Sequence, residues 1–513
     1  MRLQYKGMFV VLHLLVILFV CVSLLTGLAI STVSRDDWLM ADFILPQGRV
    51  HQIHLYSGMG ILTVTILYGV LRSQFRQRIL NQGFHIALKY LAYIAMLSLC
   101  LSGVFAYLGY TDGVIGRLLS EWHYISAITL MVFFILHGVI LFLQRGLLVL
   151  KQVFNKQALL VGYEFFVFLI VVSFVVKIYF DAELTHEITV LELESQQAIN
   201  IDGFAEESFW HDAEEAIVFT HGGANFLNGR TAVSIKAATN DKESYFLFRW
   251  FDNSESLLHL PLQKEVDGWR VLGAGFSTFN ETAYYEDKFA VMLSTTCEFG
   301  ADGTALVGRN PLSNRPSNWH GKGYHASLDG RIRDLWHWKA VRTNSMLQAD
   351  DNYFGPPLSV RLGERRYTAG YQVDGKESGA YVMNWQWYNP KYIQPKRLPS
   401  NPKVAITSPL AWFQAQPYRT DIDHYPVGTR LPSVLLRSNQ FEGDRGDVRA
   451  RGVWQDNYWT LEMARKNNTG SEKDVMLQDE VCMWVSAFDH AQVAHTRHNR
   501  PLRLNYPSEG LLQ

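Results

Sequence analysis

Five apolar stretches in the first third of the chain, each long enough to cross a hydrocarbon layer of ~30 Å as a helix, leave little choice of fold for that region. They run Phe9–Ile30, Ile53–Leu71, Ile86–Leu108, Tyr124–Leu143 and Ala158–Val176. Lipid offers no partner to a backbone amide, so such segments must be helices that bond internally. The first is too long for a signal peptide, lacks a small-x-small cleavage site and holds His13, and it is read as a retained span. The loops give the orientation. Arg2 and Lys6, then Arg72, Arg76, Arg78 and Lys89, then Arg145, Lys151 and Lys156 all fall on one side. The loops Ser31–Val50 and Gly109–Trp122, with Asp36, Asp37, Asp42, Asp112 and Glu121, fall on the other. Basic loops stay in the cytoplasm. The N-terminus is therefore cytoplasmic, and five crossings carry everything after Asp181 to the far side, the periplasm of a bacterium with this protein in its inner membrane.

Bulk composition agrees with a split chain. The 513 residues exceed one domain, and a mean hydropathy of −0.01 averages an apolar part, 1–182, with a polar, Trp- and Tyr-rich part, 183–513. A net charge of −1 gives no basic footprint for nucleic acid. The four cysteines, Cys21, Cys100, Cys297 and Cys482, form no Cys-x-x-Cys pair, which argues against a zinc site, an iron–sulfur cluster or covalent haem c. Whether Cys297 and Cys482 pair is open at this stage.

Ionisable residues inside a membrane mark function by default. Span four carries His123 and His137, fourteen residues apart. That spacing is about 21 Å along a helix, with the two rings within about 40° of one face. The alternating direction of the spans places His123 and His54 at the outer level and His13 and His137 at the inner level. Each pair can hold one iron through neutral imidazole nitrogens. His51, one turn before His54, is the rival outer ligand, while His85, at a span end, reads as interfacial. Arg49 and Arg72 read as loop charges. Gly27, Gly58, Gly60, Gly103 and Gly138 allow the close backbone approach that a flat macrocycle needs, and serve helix packing equally well.

This set of histidines resembles the di-haem cytochrome b subunits of formate dehydrogenase and nickel–iron hydrogenase over residues 8–180. The resemblance implies a transmembrane four-helix haem bundle plus a fifth transmembrane helix. It also implies two b haems on His13, His54, His123 and His137 that carry electrons between a quinone site and a redox partner. It assigns no quinone-site residue.

From Glu183 onward, short aromatic and β-branched runs recur: YFLFRWF from Tyr245, KFAVML from Lys288, WTLEMA from Trp459 and VCMWVSAF from Val481. Turn pairs such as Asn228-Gly229 and Asp267-Gly268 separate such runs. The pattern predicts an all-β antiparallel sandwich with long loops. It contains no Gly-x-Ser-x-Gly, phosphate loop or His-Glu-x-x-His.

Several phrases here resemble the haem-binding subunit of ethylbenzene dehydrogenase and its relatives among the dimethyl-sulfide and chlorate enzymes: INIDGFAEESFWHDA from Ile199, YYEDKFAVML from Tyr284, GKGYHASLDGRIRDLWHWKAVRTN from Gly321, DDNYFGPP from Asp350 and GVWQDNYWTLEMARK from Gly452. The resemblance implies a sandwich that holds one further b haem, bound in relatives through Met and Lys. The Cys-x-x-Cys-His of some members is absent. His325 is the first-choice ligand here, with Met292, His337, Lys339 and Met383 as alternatives for the second position. Trp319, Trp336 and Trp338 suit either a haem pocket or a sandwich core.

The resulting expectation is a membrane-bound b-type cytochrome that moves electrons between the quinone pool and a periplasmic cytochrome or oxidoreductase. The alternative is a membrane cytochrome b with a haem-free exported sandwich used for docking or ligand binding. A quinol-dependent oxidoreductase acting at the exported haem is a third reading.

Overall fold

The computed structural model describes residues 2–34, 45–46, 50–71, 83–108, 113–148, six positions between 167 and 178, 186–194, 199–273, 275–276, 280–300, 305–307, 324–327, 329–356, 371–373, 380–388, 393–401 and 403–507. The chain divides into two compact units, Met1–Leu184 and Thr185–Gln513.

In the first unit, helices α1 (Arg2–Ser34), α2 (Val50–Leu71), α3 (Gly83–Tyr107) and α4 (Gly113–Arg145) follow the predicted spans. Among the described residues, three stretches are long and apolar enough to cross a membrane, Val10–Ser31, Tyr90–Tyr107 and Leu118–Gln144. α1 packs chiefly on α2, and α3 on α4. All four helices meet in one apolar layer of Val20, Ile61, Ala95 and Leu130. Leu18, Ile66, Ile94, Leu101, Ile135 and Phe142 stay exposed, as a lipid-facing surface requires. α4 begins well before the predicted Tyr124, because Ile115, Leu118 and Leu119 continue its apolar spacing through what reads as an outer loop. The fifth span, Ala158–Val176, lies mostly outside the described residues; Val167, Val171, Val172, Phe174, Val175 and Ile178 are helical.

The second unit is a β-sandwich. Its main strands are β1 (His186–Thr189), β2 (Leu191–Glu192), β3 (Ala216–His221), β4 (Arg230–Thr239), β5 (Glu243–Phe251), β6 (Lys288–Ser294), β7 (Arg333–Lys339), β8 (Asp350–Phe354), β9 (Tyr371–Val373), β10 (Arg449–Gln455), β11 (Tyr458–Lys466), β12 (Val481–Phe488) and β13 (Leu502–Asn505). A seven-stranded sheet runs in the order β1-β13-β12-β6-β7-β8-β9. A six-stranded sheet runs β2-β4-β5-β11-β10, with β3 also on β4. Pairing is antiparallel except at two edges, where β1 lies parallel to β13 and β2 parallel to β4.

Alternation along the strands builds the core. Phe289, Val291, Leu293, Trp336, Trp338, Met483 and Val485 of one sheet face Ile235, Phe246, Phe248, Trp250, Trp459 and Leu461 of the other. Trp336 and Trp338 are thus core residues; Trp319 lies outside the described residues. Gly452 of β10 sits where a Cβ would run into the Trp338 indole. Long insertions between β5 and β6, β6 and β7, and β9 and β10 carry the small sheets. Cys297 and Cys482 form a disulfide with Cα atoms 5.5 Å apart, tying the segment after β6 to β12.

One end of the sandwich is closed by charge. Asp334 of β7 and Arg465 of β11, both fully buried, form an ion pair between the sheets. The Arg465 guanidinium also lies 5.1 Å from the Trp336 ring centre and donates to the Val475 carbonyl. Burial pushes the Asp334 carboxyl up to about 6 while Arg465 pulls against it. Arg465→Met, which strands this carboxylate, should destabilise the second unit by about 3–5 kcal/mol in denaturant unfolding followed by Trp fluorescence, and Asp334→Leu in the same chain should restore most of that loss.

Candidate functional site

The apolar layer of the first unit fixes the depth of the histidines. His13 lies seven residues from Val20, His54 seven from Ile61, and His123 and His137 each seven from Leu130, on opposite sides. Seven residues are about 10 Å of helix and nearly two full turns, so each ring stands on roughly the same face as its layer residue. Two histidine levels therefore flank one apolar layer.

At one level the structure brings His54 and His123 together. Their ring centres are 6.2 Å apart with planes at 73°. His54 Nδ1 lies 3.0 Å from the Ser23 carbonyl and 3.1 Å from Thr26 Oγ1. A carbonyl only accepts, so His54 Nδ1 carries the proton. Thr26 Oγ1 donates its own proton to the Val22 carbonyl at 2.7 Å. On α3, Ser102 Oγ donates to the Ser98 carbonyl at 2.6 Å and lies 2.9 Å from His123 Nδ1. With its proton committed, the Ser102 oxygen accepts from His123 Nδ1–H. Both imidazoles thus present the Nε2 lone pair, the state in which histidine ligates a metal.

The separation also fits one metal ion between the rings. Two metal–nitrogen bonds of about 2 Å, plus about 1 Å from each nitrogen to its ring centre, give about 6 Å. Beside these rings the backbone is stripped of side chains. A Cβ on Gly27 would meet His54 Cε1 at 3.0 Å, and one on Gly103 would meet His123 Cε1 at 3.5 Å. Gly60 faces Phe19, whereas a Cβ on Gly58 or Gly138 would meet open space.

At the other level, half-buried His13 adjoins the Val11, Leu12, Leu15 and Val64 cluster, and His137 stacks on Phe133 with ring centres 5.2 Å apart. His51 is half-buried on α2, and the side chain of His85 lies outside the described residues. Sequence reasoning missed Ser23, Thr26 and Ser102. The signal was the hydroxyl residue directly before a glycine, Thr26-Gly27 and Ser102-Gly103.

In the second unit, the outer face of the seven-stranded sheet carries the remaining candidates. Lys288 and Met292 of β6, Leu335, His337 and Lys339 of β7, and Trp484 and Phe488 of β12 alternate with core residues and point away from the sandwich interior. Met292 is buried against Leu335, Cys482 and Trp484. Lys339 is buried and ion-paired with Asp350, whose second oxygen takes Arg445 at 2.6 Å. Arg342 pairs with buried Glu286. Lys288 donates to the Gln492 carbonyl at 2.9 Å and lies 4.0 Å from the Phe488 ring centre, with no carboxylate in ion-pair contact among the described residues. Burial, and then Arg342, holds its ammonium well below the ordinary range.

His337 stacks on Phe488 at 5.4 Å, and its buried Nε2 has no hydrogen-bond partner. Burial, then Lys339 and Lys288, keeps this imidazole neutral. Lys288, Lys339, Arg342 and Arg445 outnumber Glu286 and Asp350, so the cluster suits an anionic group such as haem propionates. Half-buried Met383 sits on the short strand Tyr381–Met383, whose Tyr381 hydroxyl reaches Asp350 at 3.3 Å. His325 pairs with Leu306 in a two-stranded sheet, and its side chain lies outside the described residues.

Three solved structures are similar at low identity. A family 9 carbohydrate-binding module from Caldicellulosiruptor kristjanssonii in complex with glucose is 9% identical, covering 64% of this chain and 100% of that one, at a TM-score of 0.24. Its complex with cellotriose is 10% identical, with 64% and 97% covered and a TM-score of 0.23. A putative carbohydrate-binding protein from Bacteroides uniformis is 8% identical, with 63% and 100% covered and a TM-score of 0.26. No curated protein matches. The ethylbenzene dehydrogenase family model matches residues 207–500, most of the β-sandwich unit. By that match the chain belongs to the ethylbenzene dehydrogenase family.

Proposed function

We infer that this chain is a membrane-bound b-type cytochrome that links the quinone pool to a periplasmic redox partner. Two b haems sit in the first unit and a third on the exported sandwich. Haem b supplies reversible one-electron chemistry. The observation that carries the reading is the His54–His123 pair, with both Nδ1 protons committed and both rings at the separation one iron needs. In this reading His54 and His123 hold the outer haem, and His13 and His137 the inner one. Ser23, Thr26 and Ser102 fix ring orientation and raise ligand basicity. Gly27 and Gly103 let the two rings lie against the helix backbone, and the Val20, Ile61, Ala95 and Leu130 layer keeps water from between the two levels.

Membership of the ethylbenzene dehydrogenase family supports a redox role for the second unit. The Cys297–Cys482 disulfide supports its export, because such bonds persist in oxidising compartments. It agrees with the orientation set by the basic loops. For the exported haem, His337 is the ligand to test first and His325 the second. Lys288, Arg342 and Arg445 are the groups to meet the propionates. Met292 and Lys339 are held by the apolar cluster and by Asp350 respectively, and each would have to leave that partner to reach an iron.

Haem content and reduced-minus-oxidised spectra of the purified full-length protein test this. Three non-covalent haems per chain are expected. His54→Ala or His123→Ala should remove one of them, and unchanged absorption in both variants would refute the outer site. Thr26→Val and Ser102→Ala should keep the haem but weaken its retention about 10- to 100-fold against a competing apoprotein. His337→Ala should lower the content from three haems to two while the membrane pair keeps its bands. Loss on His325→Ala instead would move the exported site to the strand Tyr324–Ala326.

A further inference from the structure

The two ends of the sandwich are built differently. At one end Arg465 answers Asp334 between the sheets. At the other end three carboxylates converge with no Lys or Arg to answer them among the described residues. Asp252 follows β5 of the six-stranded sheet, Asp287 precedes β6 and Asp489 follows β12 of the seven-stranded sheet; all three are at most 1% exposed. His490 comes next to Asp489. Lys288, the nearest cation in sequence, points to the opposite face of its sheet and bonds the Gln492 carbonyl.

Asp287 is held in place by donors. Its Oδ2 accepts from Ser256 N at 2.7 Å and Trp459 Nε1 at 3.2 Å, and its Oδ1 from His490 N at 2.9 Å. Asp489 is fully buried: its Oδ1 meets His490 Nδ1 and its Oδ2 meets no hydrogen-bond donor. Asp252 Oδ1 accepts from Ser254 N at 3.1 Å, while its Oδ2 is likewise buried without a donor. One ligand atom from each of Asp287, Asp489 and His490 lies within 4.8 Å of the others. Two donors on one calcium ion, at about 2.3–2.6 Å each, stand at most about 5 Å apart, so this set fits around a single ion. Buried carboxylates this close repel one another, and a buried oxygen without a donor carries its full desolvation penalty.

We propose that Asp287, Asp489 and His490 bind a hard divalent cation at this end of the sandwich, beside Asp252 of the facing sheet. There the ion neutralises buried carboxylate charge, as the Arg465 guanidinium does at the other end. Carboxylate oxygens dominate the set, which favours calcium; the imidazole nitrogen makes manganese and zinc the comparison ions.

The test uses the full-length protein in detergent, stripped with a chelator and dialysed, with calcium, manganese and zinc each restored at millimolar concentration. Calcium, manganese and zinc are counted by elemental analysis, iron being set aside, and unfolding is followed by near-ultraviolet circular dichroism. About one equivalent should return per chain and raise the melting temperature by about 5 °C or more. Asp489→Asn should melt at or above the wild type when both are stripped, since a repulsion is gone, and should gain nothing from the ion. Asp252→Asn supplies the same comparison if the first variant does not fold. A wild type that takes up none of the three ions and melts at one temperature throughout would overturn the site, leaving the carboxylates to share protons instead.

Discussion

A histidine in hydrocarbon must settle both of its ring nitrogens, and the first unit is arranged around that constraint. For His54 and His123 one nitrogen is settled by the chain itself. Ser23, Thr26 and Ser102 accept the Nδ1 protons, and the two hydroxyls can only accept because each already donates to its own helix carbonyl. That relay fixes the tautomer and leaves Nε2 of both rings as a lone pair that meets no donor among the described residues. Glycines stand beside both rings: a Cβ on Gly27 would crowd His54 at 3.0 Å, and one on Gly103 would just touch His123 at 3.5 Å. A pair of histidines kept only for packing would need neither the committed protons nor the missing side chains.

The β-sandwich unit solves a different problem. Its inner faces pack tryptophan and phenylalanine and need nothing polar. Charge is kept out of that interior and collects at the two ends of the sandwich and on the outer faces of both sheets. On the outer face of the seven-stranded sheet Lys288, Lys339, Arg342 and Arg445 exceed their carboxylate partners, so an anion placed there would relieve buried positive charge. At the Asp252, Asp287 and Asp489 end the imbalance has the opposite sign. These two surpluses lie on either side of β6, because Asp287 and Lys288 are adjacent and strand alternation sends their side chains to opposite faces. One dipeptide thus contributes to both unsatisfied sites.

Much of this was legible in the sequence, for physical reasons that also explain what was not. Long apolar runs can only be helices in lipid, so four of the helices were placed nearly correctly; the error at α4 arose because Arg117 and Glu121 look like loop charges although Ile115, Leu118 and Leu119 keep helical spacing. The depth of the histidines followed from counting residues. Their hydroxyl partners did not, since Thr26 and Ser102 look like ordinary packing residues until the facing helix is known. In the sandwich, aromatic runs gave the central strands. The β10–β11 hairpin escaped the search for Asp-Gly and Asn-Gly because it turns on Asp456 and Asn457, both with positive φ (53° and 65°). The two parallel edge pairings join residues hundreds of positions apart, or across a sheet, and no local pattern announces them. The same holds for Asp252, Asp287 and Asp489, which only the closing of two sheets brings together.

The two units imply opposite ways of holding a flat, dianionic cofactor. In the membrane unit the proposed ligands are neutral and locked by hydrogen bonds, and the surrounding layer is apolar, so oxidised iron gains little from nearby anions. On the sandwich the proposed site is crowded with cations, which favour whichever redox state carries more negative charge. Axial imidazoles alone would make haems at the proposed sites alike; the difference in surroundings would set them apart. A ladder of potentials along the chain therefore needs no exotic ligand. It follows from placing one kind of cofactor first between neutral rings in hydrocarbon and then against Lys288, Arg342 and Arg445.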